Sequence, residues 1–258
     1  ICLLRHDGSG KNAFKNPLSF RYLDDNFIES DAVKIGKTFM DYLKKTKDPR
    51  IHVYCSLKDG NTEFDKQFGL PNGYDSHTIA DAPSGSFVGL ENTSNFNINT
   101  ILRLDAPTIF LMPSETKLLL AEAVLRNWTN GNAEVLYKEA ITSSMKEQEI
   151  AYGTQGKITD EEIETYLAQN LLSTANNTEK LQIIGEQYWV ATFINGYESY
   201  ANWRRTGYPK LIPTNYSGSM SPGVIPTRLP YPTDEYSINR ANVDTANQQQ
   251  GADKVTTH

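Results

Sequence analysis

Two cysteines, Cys2 and Cys55, are too few for a disulfide framework or a thiolate metal site. The four histidines, His6, His52, His77 and His258, stand far apart, and no two share the i, i+4 spacing of a helical zinc motif. No run of about 18 apolar residues occurs, so no helix of the sequence reads as membrane-spanning. No basic start followed by an apolar stretch marks a signal peptide. Lysine and arginine do not cluster, and the net charge is −6. That disfavours nucleic acid as a partner and adsorption to anionic lipid.

Catalytic signatures are also missing. There is no Gly-x-Ser-x-Gly, and Gly8-Ser9-Gly10-Lys11 lacks the earlier glycine of a phosphate loop and is followed by Asn12. Asp160-Glu161-Glu162-x-Glu164 reads as a solvated helix start, where carboxylates favour the helix dipole. Asp24-Asp25 with Glu29 and Asp31 lacks the glycine-centred geometry of a calcium loop. The sequence therefore predicts no enzyme, no metal and no cofactor.

What is present is polar and rich in loops. Hydrophobic residues make up 38% and charged residues 22%, with 14 tyrosines and many asparagines. The chain starts Ile1-Cys2-Leu3-Leu4 without Met, which reads as the rear part of a longer protein. Any export or lipid signal is expected upstream, because Cys2 lacks the polar tether that usually follows a lipidated cysteine.

Periodicity and caps predict several helices in a chain read as one domain with three portions. Portion 1–113 is loop-rich, irregular over 1–28, with one helix from Asp31 to Lys45 capped by Ser30 or Asp31. A short strand is expected over 50–57, and a loop zone over 58–113 ends in the extended run Ile109 to Met112. Portion 114–205 holds helices from Ser114 to Trp128, Ala133 to Gln148, Thr159 to Leu172 and, as one long buried helix, Thr178 to Arg205. Thr159 with Glu162 makes a capping box, and Gly196 marks a bend or close packing. Portion 206–258 is a strap and tail with six prolines between Pro209 and Pro232, leaving little room for helix.

The helix pair from Lys117 to Met145 fits the tetratricopeptide pattern. Leu120, Ala121 and Val124 match its first helix, and Ala133, Tyr137 and Ala140 its second. Trp203-Arg204-Arg205 reads as a core anchor followed by arginines that pair with carboxylates or helix carbonyls. Arg228 reads as tying the extended tail to the helical body. Aromatic rings set among amides and carboxylates suit sugar binding. On that ground Tyr54, Phe68, Asn72, Tyr74, Asp75 and Phe96 are the candidate ligand contacts.

Several segments together carry a family resemblance. They are Asn16-Pro17-Leu18, Asp41-Tyr42-Leu43, Asp48-Pro49-Arg50, the run from Glu115 to Glu122-Ala123, Tyr137 with Ala140-Ile141 and Ser144-Met145, Glu186-Gln187-Tyr188-Trp189, and the block from Trp203 to Tyr231. On these residues the chain resembles the C-terminal half of the SusD/RagB-like outer-membrane lipoproteins of Bacteroidetes. The resemblance implies an all-α fold of tetratricopeptide-like hairpins with long irregular insertions. It implies a non-catalytic, surface-exposed glycan-binding lipoprotein of the outer membrane, held to the membrane only by an upstream lipid anchor. The implied partner is a SusC-like TonB-dependent transporter, and the implied ligand an oligosaccharide. A peptide ligand, or protein scaffolding in the same kind of uptake complex, is the alternative.

Overall fold

A computed structural model describes residues 1–24, 33–74, 77–214 and 221–251. The expected cap at Ser30 or Asp31 and the acidic group Asp25, Glu29 and Asp31 lie outside the described residues. Ten α-helices and two small two-stranded sheets are present among the described residues, so the all-α expectation holds. The chain forms two compact units, one of residues 1–72 with 78–209 and one of 73–77 with 210–258.

In the first unit, β1 (Cys2–Leu4) pairs antiparallel with β4 (Thr108–Leu111). α1 (Pro17–Asp24) lies inside the stretch expected to be irregular. The Asn16 side chain explains it, accepting from the N–H of Leu18 at 2.9 Å and of Ser19 at 3.2 Å, with Pro17 in the first helical position. α2 (Lys37–Thr46) is shorter than expected and stops at Lys47, which is left-handed at φ 53.

The strand expected over 50–57 is corrected. Asp48 accepts from the Arg50 N–H at 2.9 Å and closes a turn that opens α3 (Ile51–Tyr54). Only β2 (Cys55–Ser56) is extended, pairing with β3 (Asn95–Phe96). Residues 53–56 are all buried, so the weak alternation in the sequence reported no two-faced strand.

α4 (Pro113–Leu125) and α5 (Ala133–Tyr152) form the central hairpin. Leu118 and Ala121 meet Tyr137, Ala140 and Ile141 in the core. Leu120, a matched repeat position, instead points to solvent. α6 (Asp160–Gln169) begins at the expected box, with Glu162 accepting from the Thr159 N–H at 2.8 Å and Thr159 Oγ1 accepting in return at 3.2 Å.

The single helix expected from Thr178 to Arg205 is two, α7 (Asn177–Ala191) and α8 (Gly196–Thr206). Thr192 turns its hydroxyl back to the Tyr188 carbonyl at 2.8 Å, and Asn195 caps the new helix through the Glu198 N–H. Gly196 therefore opens a helix rather than sitting inside one.

Two interior clusters hold this unit together. Phe193 stacks on Phe39 at 4.3 Å and on Tyr54 at 4.9 Å, and meets Phe96 edge-on at 5.5 Å. The other cluster is polar. Arg50 is fully buried and forks onto Asp48 through Nε at 2.9 Å and Nη2 at 2.5 Å. It also donates to Ser144 Oγ at 3.0 Å and Gln187 Oε1 at 2.7 Å. Gln187 in turn donates to the hydroxyls of Tyr42 and Tyr166. Four of the segments that carried the family resemblance, through Tyr42, Asp48 with Arg50, Ser144 and Gln187, thus converge on one buried network.

In the second unit the tail was expected to lack helix, yet it forms α9 (Thr233–Ile238) and α10 (Arg240–Gln250). Residues 233–250 contain neither proline nor glycine, and Pro232 stands at the α9 N-cap. Arg228 lies 5.1 Å from the Tyr231 ring.

Candidate ligand-binding cleft

A cleft of about 830 Å³ opens in the first unit between the start of α1, strand β4 and the α7–α8 turn. Its walls are set by local chemistry. The Asn16 amide donates to the Ala106 carbonyl at 2.9 Å while its oxygen caps α1, so the start of the helix is fixed against the strand leading into β4. Asn195 caps α8 and so places Tyr197 and Tyr200, three residues apart, on one helical face. Phe110 stands on β4 opposite them.

These rings are unusually open to solvent: Tyr197 is 91% exposed, Phe110 56% and Tyr200 40%. Large apolar surface left open around a concavity marks a binding site more often than a folding feature. Tyr200 is backed by Trp203, whose ring stacks at 6.0 Å, and by the Arg204 guanidinium at 5.8 Å. Its face is thereby held in place. Trp203 is half-buried in this stack, not a fully buried anchor.

Among the described residues, Glu198 is the one carboxylate lining the cleft. Tyr188 donates its hydroxyl to Glu198 at 3.4 Å. Burial pushes the Tyr188 phenol up, and the carboxylates of Glu115 and Glu198 add to the effect, so Tyr188 stays a neutral donor. The cleft can therefore offer flat apolar faces, the Glu198 carboxylate and backbone groups, with no metal-holding cluster among the described residues. That is the chemistry of hydroxyl-rich, flat-faced ligands.

Among the described residues of this unit, none of the expected contacts Tyr54, Phe68, Asn72 and Phe96 lines this cleft. Tyr54 is corrected to a core residue: it is 3% exposed, stacks on Phe193 and donates its hydroxyl to the Val190 carbonyl at 3.3 Å. Phe96 is half-buried in the same cluster, edge-on to Tyr22 and Phe193. Phe68 is exposed, with Lys44 Nζ 4.2 Å over its ring. Asn72 is exposed beside Gly36, where a Cβ would stand 3.1 Å from its Oδ1. Tyr74 belongs to the second unit, and Asp75 lies outside the described residues. Reading α7 and α8 as one helix hid Tyr197 and Tyr200. The missed signal was Asn195 followed three residues later by Glu198, a helix start.

Helical hairpins carrying an open aromatic cleft define a helical protein with a candidate ligand site. The particular family follows from comparison. Residues 7–232 match a family model described as starch-binding and associating with the outer membrane, and the chain belongs to this SusD-like family. Among solved structures it is similar to a chitin-binding protein, at 29% identity and TM-score 0.77, over 99% of this chain and 54% of that one. It is also similar to a SusD homolog from Bacteroides fragilis, at 25% identity and TM-score 0.69, over 86% of this chain and 50% of that one. A SusD homolog from Bacteroides thetaiotaomicron shares the fold at 23% identity and TM-score 0.71, over 95% of this chain and 54% of that one. The chain thus spans about half the length of the structures it matches. No curated protein matches it.

Proposed function

We propose that this chain belongs to a surface-exposed lipoprotein of the outer membrane that binds oligosaccharides and delivers them to a SusC-like TonB-dependent transporter. The family match over residues 7–232 carries the reading. The cleft under Phe110, Tyr197 and Tyr200 supports it, because flat aromatic faces pack against the C–H surface of a pyranose ring. Starch-type and chitin-type oligosaccharides are the first ligands to try, since the family and one relative carry those names. Phe68, Asn72, Tyr74 and Asp75 stay in the proposal as secondary contacts.

Calorimetry of the full chain with maltotriose and with chitotriose tests it. Tyr197→Ala with Tyr200→Ala is expected to weaken binding about tenfold or more, equivalent to about 1.4 kcal/mol. Phe68→Ala reports on the secondary contacts. Binding unchanged by the tyrosine pair would remove the cleft from the reading, and binding of peptides but no glycan would replace the ligand class. Co-purification with a TonB-dependent transporter tests delivery.

A further inference from the structure

A second cleft of about 570 Å³ lies in the same unit, lined by α6, the α2–α3 turn and the loop carrying Thr62 and Phe64. Its chemistry differs from the aromatic cleft. Glu161, Thr165 and Gln169 stand at i, i+4 and i+8 on α6 and line one wall. All three are exposed, and among the described residues their side chains form no hydrogen bond. The facing wall is the Phe64 ring and Pro49.

This facing wall is built rigidly. Gln67, fully buried, donates its amide to the carbonyls of Asn61 at 2.9 Å and Glu63 at 3.2 Å, and accepts from Ser94 Oγ at 2.8 Å. Lys44 adds a bond to the Asp65 carbonyl at 3.3 Å. The loop therefore presents Phe64 without needing to be ordered by a ligand, which lowers the entropic cost of binding. On the rim, Glu162 is occupied by its capping bonds to Thr159, at 2.8 Å from the N–H and 2.7 Å from the hydroxyl. His52 Nε2 lies 3.3 Å from the Lys157 carbonyl.

The geometry points to a second, independent glycan site here, one that takes a single neutral hexose unit. An apolar floor opposite unpartnered carboxylate, hydroxyl and amide groups matches a sugar ring with hydroxyls that both donate and accept. Two carboxylates, Glu161 and Glu162, against the single ammonium of Lys47 disfavour uronic acids and sugar phosphates here. This inference rests on the proposed glycan-binding function and adds a site to it.

The test is the stoichiometry of short ligands. Calorimetry of the full chain with maltotriose and chitotriose should show two sites for at least one of them. The triple variant Glu161→Ala, Thr165→Val, Gln169→Ala changes only exposed positions and should reduce the stoichiometry to one. Phe64→Ala should do the same at a temperature below its melting transition, which is expected to fall because the ring also packs against the core. Tyr197→Ala with Tyr200→Ala should leave this second site intact, and combining it with the triple variant should abolish binding. One site per chain, lost with the tyrosine pair, would overturn the second site while keeping the proposed function. No glycan binding at all would overturn both.

Discussion

Arg50 heads the side chains fully withdrawn from solvent, and each of its nitrogens finds a partner in Asp48, Ser144 or Gln187. Removing one member of a buried ion pair strands the other charge, so Arg50→Ala is expected to cost about 3–5 kcal/mol in urea unfolding. Arg50→Lys should lose most of this too, since an ammonium cannot fork onto Asp48 and reach Gln187 together. Glu122 and Glu115 on α4 should respond oppositely to pH. Burial pulls the Glu122 carboxyl up, but hydrogen bonds from Arg205 and Arg126 outweigh it and hold the group below the usual range. Its stabilisation is full above the unfolded value, about 4.3, and fades as pH falls through the lower folded value. Glu122→Gln should therefore lose about 2–3 kcal/mol at pH 7 and flatten the acid limb of stability against pH. For Glu115, burial raises the carboxyl, the Met112 N–H bond opposes this, and the charges of Glu198 and Glu147 add to it. The folded state then favours the proton. Its penalty is absent below the unfolded value and complete above the folded one. Glu115→Gln, which can still accept from Met112, should raise the melting temperature at pH 7 and leave it unchanged near pH 3.

At the scale of elements, α7 meets the segment after α8 at Gly185. A Cβ there would stand 2.6 Å from the Cβ of Tyr208, and neither atom can rotate away. Gly→Ala in a helix ordinarily gains about 1 kcal/mol, whereas overpacking costs about 1–3. Gly185→Ala should thus fail to stabilise and lower stability by up to about 2 kcal/mol in thermal melts, against the propensity sign. How much of the fold was legible depended on whether its cause was local. Thr159 and Glu162 announce α6 because the box is made within four residues. Arg205 was readable as a carboxylate partner, although nothing near it named Glu122. The α7–α8 break was hidden because Phe193 and Ile194 continue an apolar run. What draws Phe193 out of the helix is Phe39 and Tyr54, distant in sequence. The same distance explains Tyr54: beside Asn-rich loops it looks like a sugar platform, and only the fold brings Phe193 over its face.

For the helical unit as a whole, the Phe193 cluster and the aromatic cleft share one short turn. Phe193 is locked among Phe39, Tyr54 and Phe96, while Ile194 and Asn195, next in the chain, line the cleft and cap the helix that carries Tyr197. Core packing therefore sets the position of the binding surface through the backbone, with no contact between cluster and ligand. Phe193→Leu removes the stack and frees the turn, so it should weaken maltotriose or chitotriose binding about three- to tenfold, roughly 0.7–1.4 kcal/mol. Its stability loss should be about 1–1.5 kcal/mol. Phe39→Leu depletes the same cluster from α2 and is the control: a similar fall in melting temperature, with affinity nearly unchanged. Hydrogen exchange over residues 192–198 should accelerate in the first variant and stay protected in the second. Equal affinity losses in both variants would mean that binding tracks global stability, and the turn would then not be the element that positions the cleft.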